Sequence, residues 1–296
     1  MAFTSSTKST IVRIKTAGLR SAFRVLELVS PRLGALWAER FWFAITPSRV
    51  QAVVGGGTHF EVASQGGVVR GTRWGSGPVV YLVHGWGGNS SQLGSFVAPL
   101  VAAGFSVVAH DALSHGRSDP GPTGAGNSDG VQMGKALDDV AAKFGPAHAV
   151  VAHSMGSLAT GLALQHGWLG TDRLVMIAPA VRISDYVTVV QAGLGFGPRT
   201  LRRLETRVLN RVGLPIDAVD LHRVAEEIER PELLVIHDPA DRETPYASTT
   251  SLVAHWSGAR LTTIEGLGHR RALRDPAIIR QVVAFVSSDE LQEATA

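Results

Sequence analysis

Hydrophobic positions along this chain fall into two regimes. Through residues 1–50, Ile11, Ile14, Phe23, Leu26, Leu33, Leu36, Trp37 and Phe41 recur at roughly helical intervals between Lys and Arg, with Pro31 and Pro47 as breaks. That spacing lines one side of an amphipathic helix. From Thr58 the pattern turns to strands, and residues 58–64 and 67–74 read as a hairpin around Gly66-Gly67. Short apolar runs at Val79–Val83, Phe105–Ala109, Ala149–Ala152 and Leu174–Ala178 then alternate with helical stretches near 91–103, 131–144 and 155–166. Strands that are apolar throughout, separated by helices, predict an α/β fold whose mostly parallel central sheet is flanked by helices on both faces. An Arg-rich, mostly helical insert over about 181–230 interrupts the rhythm before Leu233–Ile236 and Leu261–Ile264 resume it. The expected organisation is an N-terminal helical arm, 1–57, followed by one domain, 58–296, that carries a small helical cap insert.

Composition narrows the classes of function. A chain of 296 residues with 45% hydrophobic content can bury a sizeable core. The net charge is only +3 and the basic residues are scattered, so no nucleic-acid partner is expected. The absence of cysteine excludes disulfide scaffolds, thiol nucleophiles and thiolate metal sites together. No apolar stretch reaches the ~20 residues that span a bilayer, and no secretory signal is evident at the N-terminus, which makes a cytoplasmic location the expectation. The arm has no acidic residue before Glu27. Its simplest reading is a helix packed on the main domain; a basic amphipathic profile also suits peripheral membrane contact or a transit segment.

Chemistry concentrates where the predicted strands end. Val150-Val151-Ala152-His153-Ser154-Met155-Gly156-Ser157 is an apolar strand running through a small-residue turn into a helical pattern. The pentapeptide Ala152-His153-Ser154-Met155-Gly156 resembles the G-x-S-x-G nucleophile elbow of the α/β-hydrolase superfamily, serine hydrolase branch, with Ala152 where the first glycine is usual. His84-Gly85-Trp86-Gly87-Gly88, directly after the strand ending at Val83, is similar to the HG-x-G turn of that superfamily. A glycine-rich turn after a strand also suits phosphate, but neither G-x-x-x-x-G-K-S/T nor G-x-G-x-x-G is present here. Asp111-Ala112-Leu113-Ser114-His115-Gly116-Arg117-Ser118 resembles the superfamily's D-x-P-G-H-G-x-S loop, whose role is structural. The polar turn His237-Asp238-Pro239-Ala240-Asp241-Arg242-Glu243-Thr244-Pro245 is similar to the acid-bearing stretch G-x-x-D-x-x-V-P, with Asp241 on the acid position and Asp238 the alternative. His269, in Gly266-Leu267-Gly268-His269, occupies the histidine position. The resemblance spans roughly residues 58–288.

The resemblance implies a serine hydrolase, a carboxylic ester or thioester hydrolase working through an acyl-enzyme. Ser154 would be the nucleophile, His269 the base and Asp241 its orienting acid, in the superfamily's chain order of Ser, Asp, His. The backbone amides of Trp86 and Met155 would form the oxyanion hole. No metal and no organic cofactor is implied, and the partner is a small-molecule acyl substrate. A serine at the elbow argues against the dehalogenases and epoxide hydrolases of the superfamily, which place an Asp there. The alternative is an inactive member of the fold that serves as a binding or membrane-associated interaction protein. In these folds the insert sets specificity, so Trp86 together with Tyr186 and Phe196 of the insert are the candidate substrate contacts. Arg199, Arg203, Arg207 and Arg211 recur every four residues, placing them on one helix face. A solvated face is the simpler reading of that stripe, and attraction of an anionic substrate the other.

Overall fold

The computed structural model describes residues 5–48 and 54–288, with side chains described from Ala17 onward, so those of Ile11 and Ile14 lie outside the described residues. The chain forms two compact units. One comprises Ile45–Val181 and the chain from Asp220 onward; the other joins the segment ending at Ala44 to Arg182–Val219.

The larger unit is built on an eight-stranded sheet of β1 (Thr58–Ser64), β2 (Gly67–Trp74), β3 (Val79–Val83), β4 (Ser106–Asp111), β5 (Ala147–His153), β6 (Thr171–Ile177), β7 (Glu232–His237) and β8 (Arg260–Thr263). The strand order is β1-β2-β4-β3-β5-β6-β7-β8. β1 pairs antiparallel with β2, and β2 with β4, while every other neighbour is parallel. Ser64 faces Gly67 across the hairpin, and the turn residues Gln65 and Gly66 have φ of 47° and 84°. The two-residue turn therefore sits one position before the expected Gly66-Gly67. Two successive positive φ angles match the twist of the flanking strands.

Alternation within the central strands divides the core between the two faces of the sheet. Val80, Leu82, Val107, Val151, Val175, Ile177, Leu234 and Ile236 share one apolar cluster with Leu100 of α3 (Val97–Ala102) and Ile278, Val282 and Phe285 of α11 (Pro276–Val286). The opposite face carries α4 (Gly130–Phe144), α5 (Met155–Gln165), α8 (Leu221–Glu227) and α9 (Tyr246–His255). The helix expected near 91–103 divides into a 3₁₀ segment, Ser90–Phe96, and α3. α4 begins where the Asp129 side chain accepts a hydrogen bond from the Gln132 amide at 2.8 Å, the usual device for satisfying an orphan N-terminal donor.

The smaller unit consists of α1 (Ser5–Val29), α2 (Pro31–Trp42), α6 (Ser184–Leu194) and α7 (Pro198–Val212). Arm and insert thus share one core, with Phe23, Ala35, Ala38 and Phe43 packed among Leu194, Phe196, Leu204, Val208 and Ile216. Gly34 is required where α2 meets α7, since a Cβ there would come 2.8 Å from Thr200 Oγ1. Glu27 accepts the amides of Gly197, Arg199 and Thr200 at 3.1, 2.8 and 3.0 Å, an anion at the start of α7. Burial alone would raise the Glu27 carboxyl, but the Thr200 side chain and these amides hold it below its ordinary value. The arginine stripe is divided. Arg203 is exposed, whereas Arg207 Nε and, at 3.6 Å, Arg211 Nη1 turn to the buried Glu39. The Arg211 guanidinium also lies 3.9 Å from the Phe43 ring centroid. A buried carboxylate needs countercharge, and α7 supplies it to α2.

Candidate active site

Ser154 stands between the last residue of β5 and the first of α5, with φ 53° and ψ −123°. A non-glycine residue at positive φ costs of order 1–3 kcal/mol and persists only where surrounding contacts overdetermine it. Here the Ser154 amide donates to Ile177 O at 3.1 Å, and its carbonyl accepts from Ser157 and Ala180 at 3.0 and 3.1 Å. The helix that follows lies hard against the end of β3. A Cβ on Gly156 would sit 2.5 Å from His84 O and 2.6 Å from Val83 O, and one on Gly85 would sit 2.9 Å from Ser154 Cβ. Glycine at both positions is what lets the turn carrying Trp86 meet the turn carrying Ser154. Met155, as the first residue of α5, belongs to the turn whose amides have no partner within the helix.

The His84 turn is pinned to the loop after β4. The Ala112 amide donates to His84 Nε2 at 3.0 Å, and His84 Nδ1 donates to Gly85 O at 2.8 Å. Asp111 is buried and accepts the amides of Ser90 and Arg117 at 2.7 and 2.9 Å. The His115 ring lies 5.0 Å from that of His84 and 5.8 Å, edge on, from Trp86. Trp86 is half-buried. Desolvation pushes His84 down to about 4 and His115 to about 3, so both are neutral supports of the turn.

His269 is buried at the start of α10 (Gly268–Arg271). Its Nδ1 donates to Asp241 Oδ2 at 2.7 Å. Asp238, the alternative acid, instead accepts the amides of Gly268 and Ala240 at 2.6 and 2.8 Å and so holds the backbone beside the histidine. Asp241 is sealed from solvent and receives four further donors: Thr244 Oγ1 at 2.9 Å, His237 Nε2 at 3.3 Å, and the amides of Glu243 and Thr244 at 2.7 and 3.2 Å. Burial by itself would raise this carboxyl; the hydrogen bonds from His237, His269 and the Glu243 amide outweigh it and hold Asp241 far below the ordinary range. His237, fully enclosed, is oriented by Thr249 Oγ1 at 2.7 Å from its Nδ1.

Three supporting residues escaped the sequence reading. His237 reads only as the first residue of the polar turn, Thr244 stands where the motif has valine, and His153 occupies the variable position of the elbow. In the fold, His153 Nε2 donates to His269 O at 3.0 Å and the two rings lie 4.7 Å apart. Burial, with His269 adjacent, pushes His153 down to about 3, so it is neutral. Of the insert residues, Tyr186 is half-buried on α6, while Phe196 is a core side chain of the helical unit, 5.8 Å from the Phe23 ring. An aromatic flanked by apolar helices is drawn into their core, which is why a binding surface is not where Phe196 is found. Among the described residues, no helix is long and apolar enough to cross a membrane.

A family model described as serine aminopeptidase, S33, matches residues 76–230. Over 168 residues the chain is 32% identical to a non-heme haloperoxidase of Rhodococcus erythropolis, covering 56% of this chain and 53% of that protein. The chain thus spans about half the length of the curated relative it matches. An esterase from Exiguobacterium antarcticum shares the fold with a TM-score of 0.60 at 16% identity, covering 77% of this chain and 98% of that one. Est1E from Butyrivibrio proteoclasticus, solved with ferulic acid, has a TM-score of 0.60 at 17% identity, covering 80% and 100%.

Proposed function

The chain belongs to the serine aminopeptidase S33 family of α/β hydrolases, and we propose that it hydrolyses an uncharged carboxylic ester or thioester through an acyl-enzyme on Ser154. The observation that carries this reading is the backbone of Ser154, held at φ 53° between a strand and a helix, the conformation that lifts a serine hydroxyl clear of its neighbours. Ser154 Oγ attacks the acyl carbonyl as its proton passes to His269 Nε2. Asp241 keeps the His269 Nδ1 proton in place and stabilises the imidazolium that forms. The amides of Trp86 and Met155 receive the developing oxyanion, each worth about 3 kcal/mol of transition-state stabilisation. His269 Nε2 then gives the proton to the leaving alkoxide or thiolate. In the second half, a water loses a proton to His269 Nε2 and attacks the acyl carbon, and return of that proton to Ser154 frees the acid.

Uncharged substrates are favoured by the surroundings of His269. Glu243 Oε2 lies 3.9 Å from His269 Nε2 and is paired with Arg270 at 2.9 Å. With Arg270 already paired to that carboxylate, a substrate ammonium would have to compete for it, which favours an ester over an aminoacyl substrate. Trp86, half-buried beside the elbow, is the proposed wall for the acyl group.

The test is labelling with a fluorophosphonate probe, comparing the wild type with Ser154→Ala, followed by p-nitrophenyl acyl esters, acyl thioesters and aminoacyl p-nitroanilides. The expected result is labelling abolished by the substitution and turnover of esters well above anilides. Folded wild type that does not label would overturn the hydrolase reading in favour of a binding role. Faster anilide cleavage would overturn the choice of substrate.

A further inference from the structure

We propose that the helix pair α1–α2 is a docking surface for anionic lipid. On α2 the inward side is made of small residues: Gly34, Ala35 and Ala38 are buried there, with Glu39. The large apolar side chains Leu33, Trp37 and Phe41 stand four residues apart and are 50%, 42% and 47% exposed, Trp37 and Phe41 each covering an edge of the Phe23 ring at 6.4 and 6.2 Å and leaving their other side open. At 1.5 Å per residue they form one ridge about 12 Å long. On α1, Phe23 turns inward and is fully buried, whereas Leu28 and Val29 on the other side are 77% and 78% exposed and Val25 is also exposed. A helix that is apolar on both sides has a second surface to cover.

Charge identifies what covers it. From Ala17 onward, the exposed charged side chains of α1 and α2 are Arg20, Arg24, Arg32 and Arg40. Both carboxylates of that stretch are engaged by the helix packed against them, Glu27 by the start of α7 and Glu39 by Arg207 and Arg211. Arg20 turns to Ala192 O of α6 at 2.9 Å, so among the described residues the charged side chains that α1 and α2 leave beside this apolar bulk are the cations Arg24, Arg32 and Arg40. Two copies of such a face, related by a two-fold axis, would set arginine against arginine, whereas anionic headgroups neutralise the same charges. Trp and Phe on the apolar side with Arg at the margins is the composition of a helix lying in a membrane interface.

The experiment is co-sedimentation of the full chain with vesicles of phosphatidylcholine alone and of phosphatidylcholine mixed with phosphatidylglycerol. Wild type is expected on the mixed vesicles, released by salt. Leu33→Ser/Trp37→Ser/Phe41→Ser and Arg32→Glu/Arg40→Glu should each weaken partitioning at least about tenfold, with p-nitrophenyl ester hydrolysis in solution unchanged. Leu28→Ser/Val29→Ser, which removes two largely exposed side chains and no core, should weaken it as well. Equal partitioning of wild type onto the two vesicle types, or binding that ignores these substitutions, would overturn the proposal. So would a vesicle-free dimer, detected by light scattering, that Trp37→Ser dissolves, because a second copy would then own the face. Ester hydrolysis is a separate readout, so a chain that binds vesicles but does not turn over esters removes the catalytic reading alone.

Discussion

Strain at Ser154 has a signature in stability that is independent of any substrate. Replace it by alanine and by glycine: both variants lack the hydroxyl, and they differ by one methyl group. At an unstrained position alanine is more stable than glycine by about 0.4–1 kcal/mol, because glycine has more conformational freedom to lose on folding. Here alanine keeps the Cβ that makes φ 53°, ψ −123° unfavourable by of order 1–3 kcal/mol. Loss of a half-buried Cβ takes back a few tenths of a kcal/mol. The balance leaves about 1 kcal/mol in favour of glycine, the reverse of the ordinary order. For a protein of 296 residues that is a melting temperature about 1.5–2 °C higher for Ser154→Gly than for Ser154→Ala. Thermal unfolding followed by circular dichroism, with urea titration as a second measure, reads the difference. An alanine variant as stable as the glycine variant, or more so, would mean that no strain is stored at residue 154, and the argument for a built nucleophile elbow would fall with it.

Three further outcomes follow from the same geometry. Asp241→Asn should lower kcat by about 10³–10⁴-fold with little change in KM, whereas Asp238→Asn, which touches only backbone amides, should act mainly on thermal stability; a larger kcat loss for Asp238→Asn would exchange their roles. His237→Phe should lower kcat by about 10–100-fold by loosening Asp241, with His237→Gln, which keeps a donor, recovering part of it; a kcat untouched by His237→Phe would make the histidine mere packing. Acid should unfold the protein early. His84 and His110 are pushed down to about 4, and His115 and His153 to about 3, by burial, against about 6.5 in the unfolded chain. Between those values the unfolded chain binds protons that the folded one refuses, so stability falls as pH falls, by about 5 kcal/mol per pH unit for the four together near pH 5. The lowered carboxyls of Asp111, Asp238 and Asp241 add a loss of the same sign below about pH 4. Urea midpoints at pH 7, 6 and 5 that do not decline would show these imidazoles to be solvated.

What the sequence by itself determined was local. Each strand of the parallel sheet is a short apolar run, and each run ends in a turn whose small or polar residues declare its chemistry, so the strand positions and the candidates Ser154, Asp241 and His269 are visible without coordinates. What only the tertiary structure decided was partnership across long separations. Asp238 and Asp241 share one turn, and the choice of which meets His269 Nδ1 is made by a chain segment 28 residues beyond Asp241. His237, Thr244 and His153 gain their meaning from that same convergence. The arm illustrates the limit most clearly. Periodicity marks Phe23 and Trp37 alike as apolar, yet Phe23 is sealed in a core with the insert while Trp37, which meets the Phe23 ring edge on, keeps 42% of its surface exposed. Likewise Arg203 and Arg207 belong to one repeat, and the buried Glu39 draws in only the second. A repeat of 3.6 residues states which side of a helix is apolar or charged; what covers that side is set by surfaces brought together when the chain folds, and no local pattern records them.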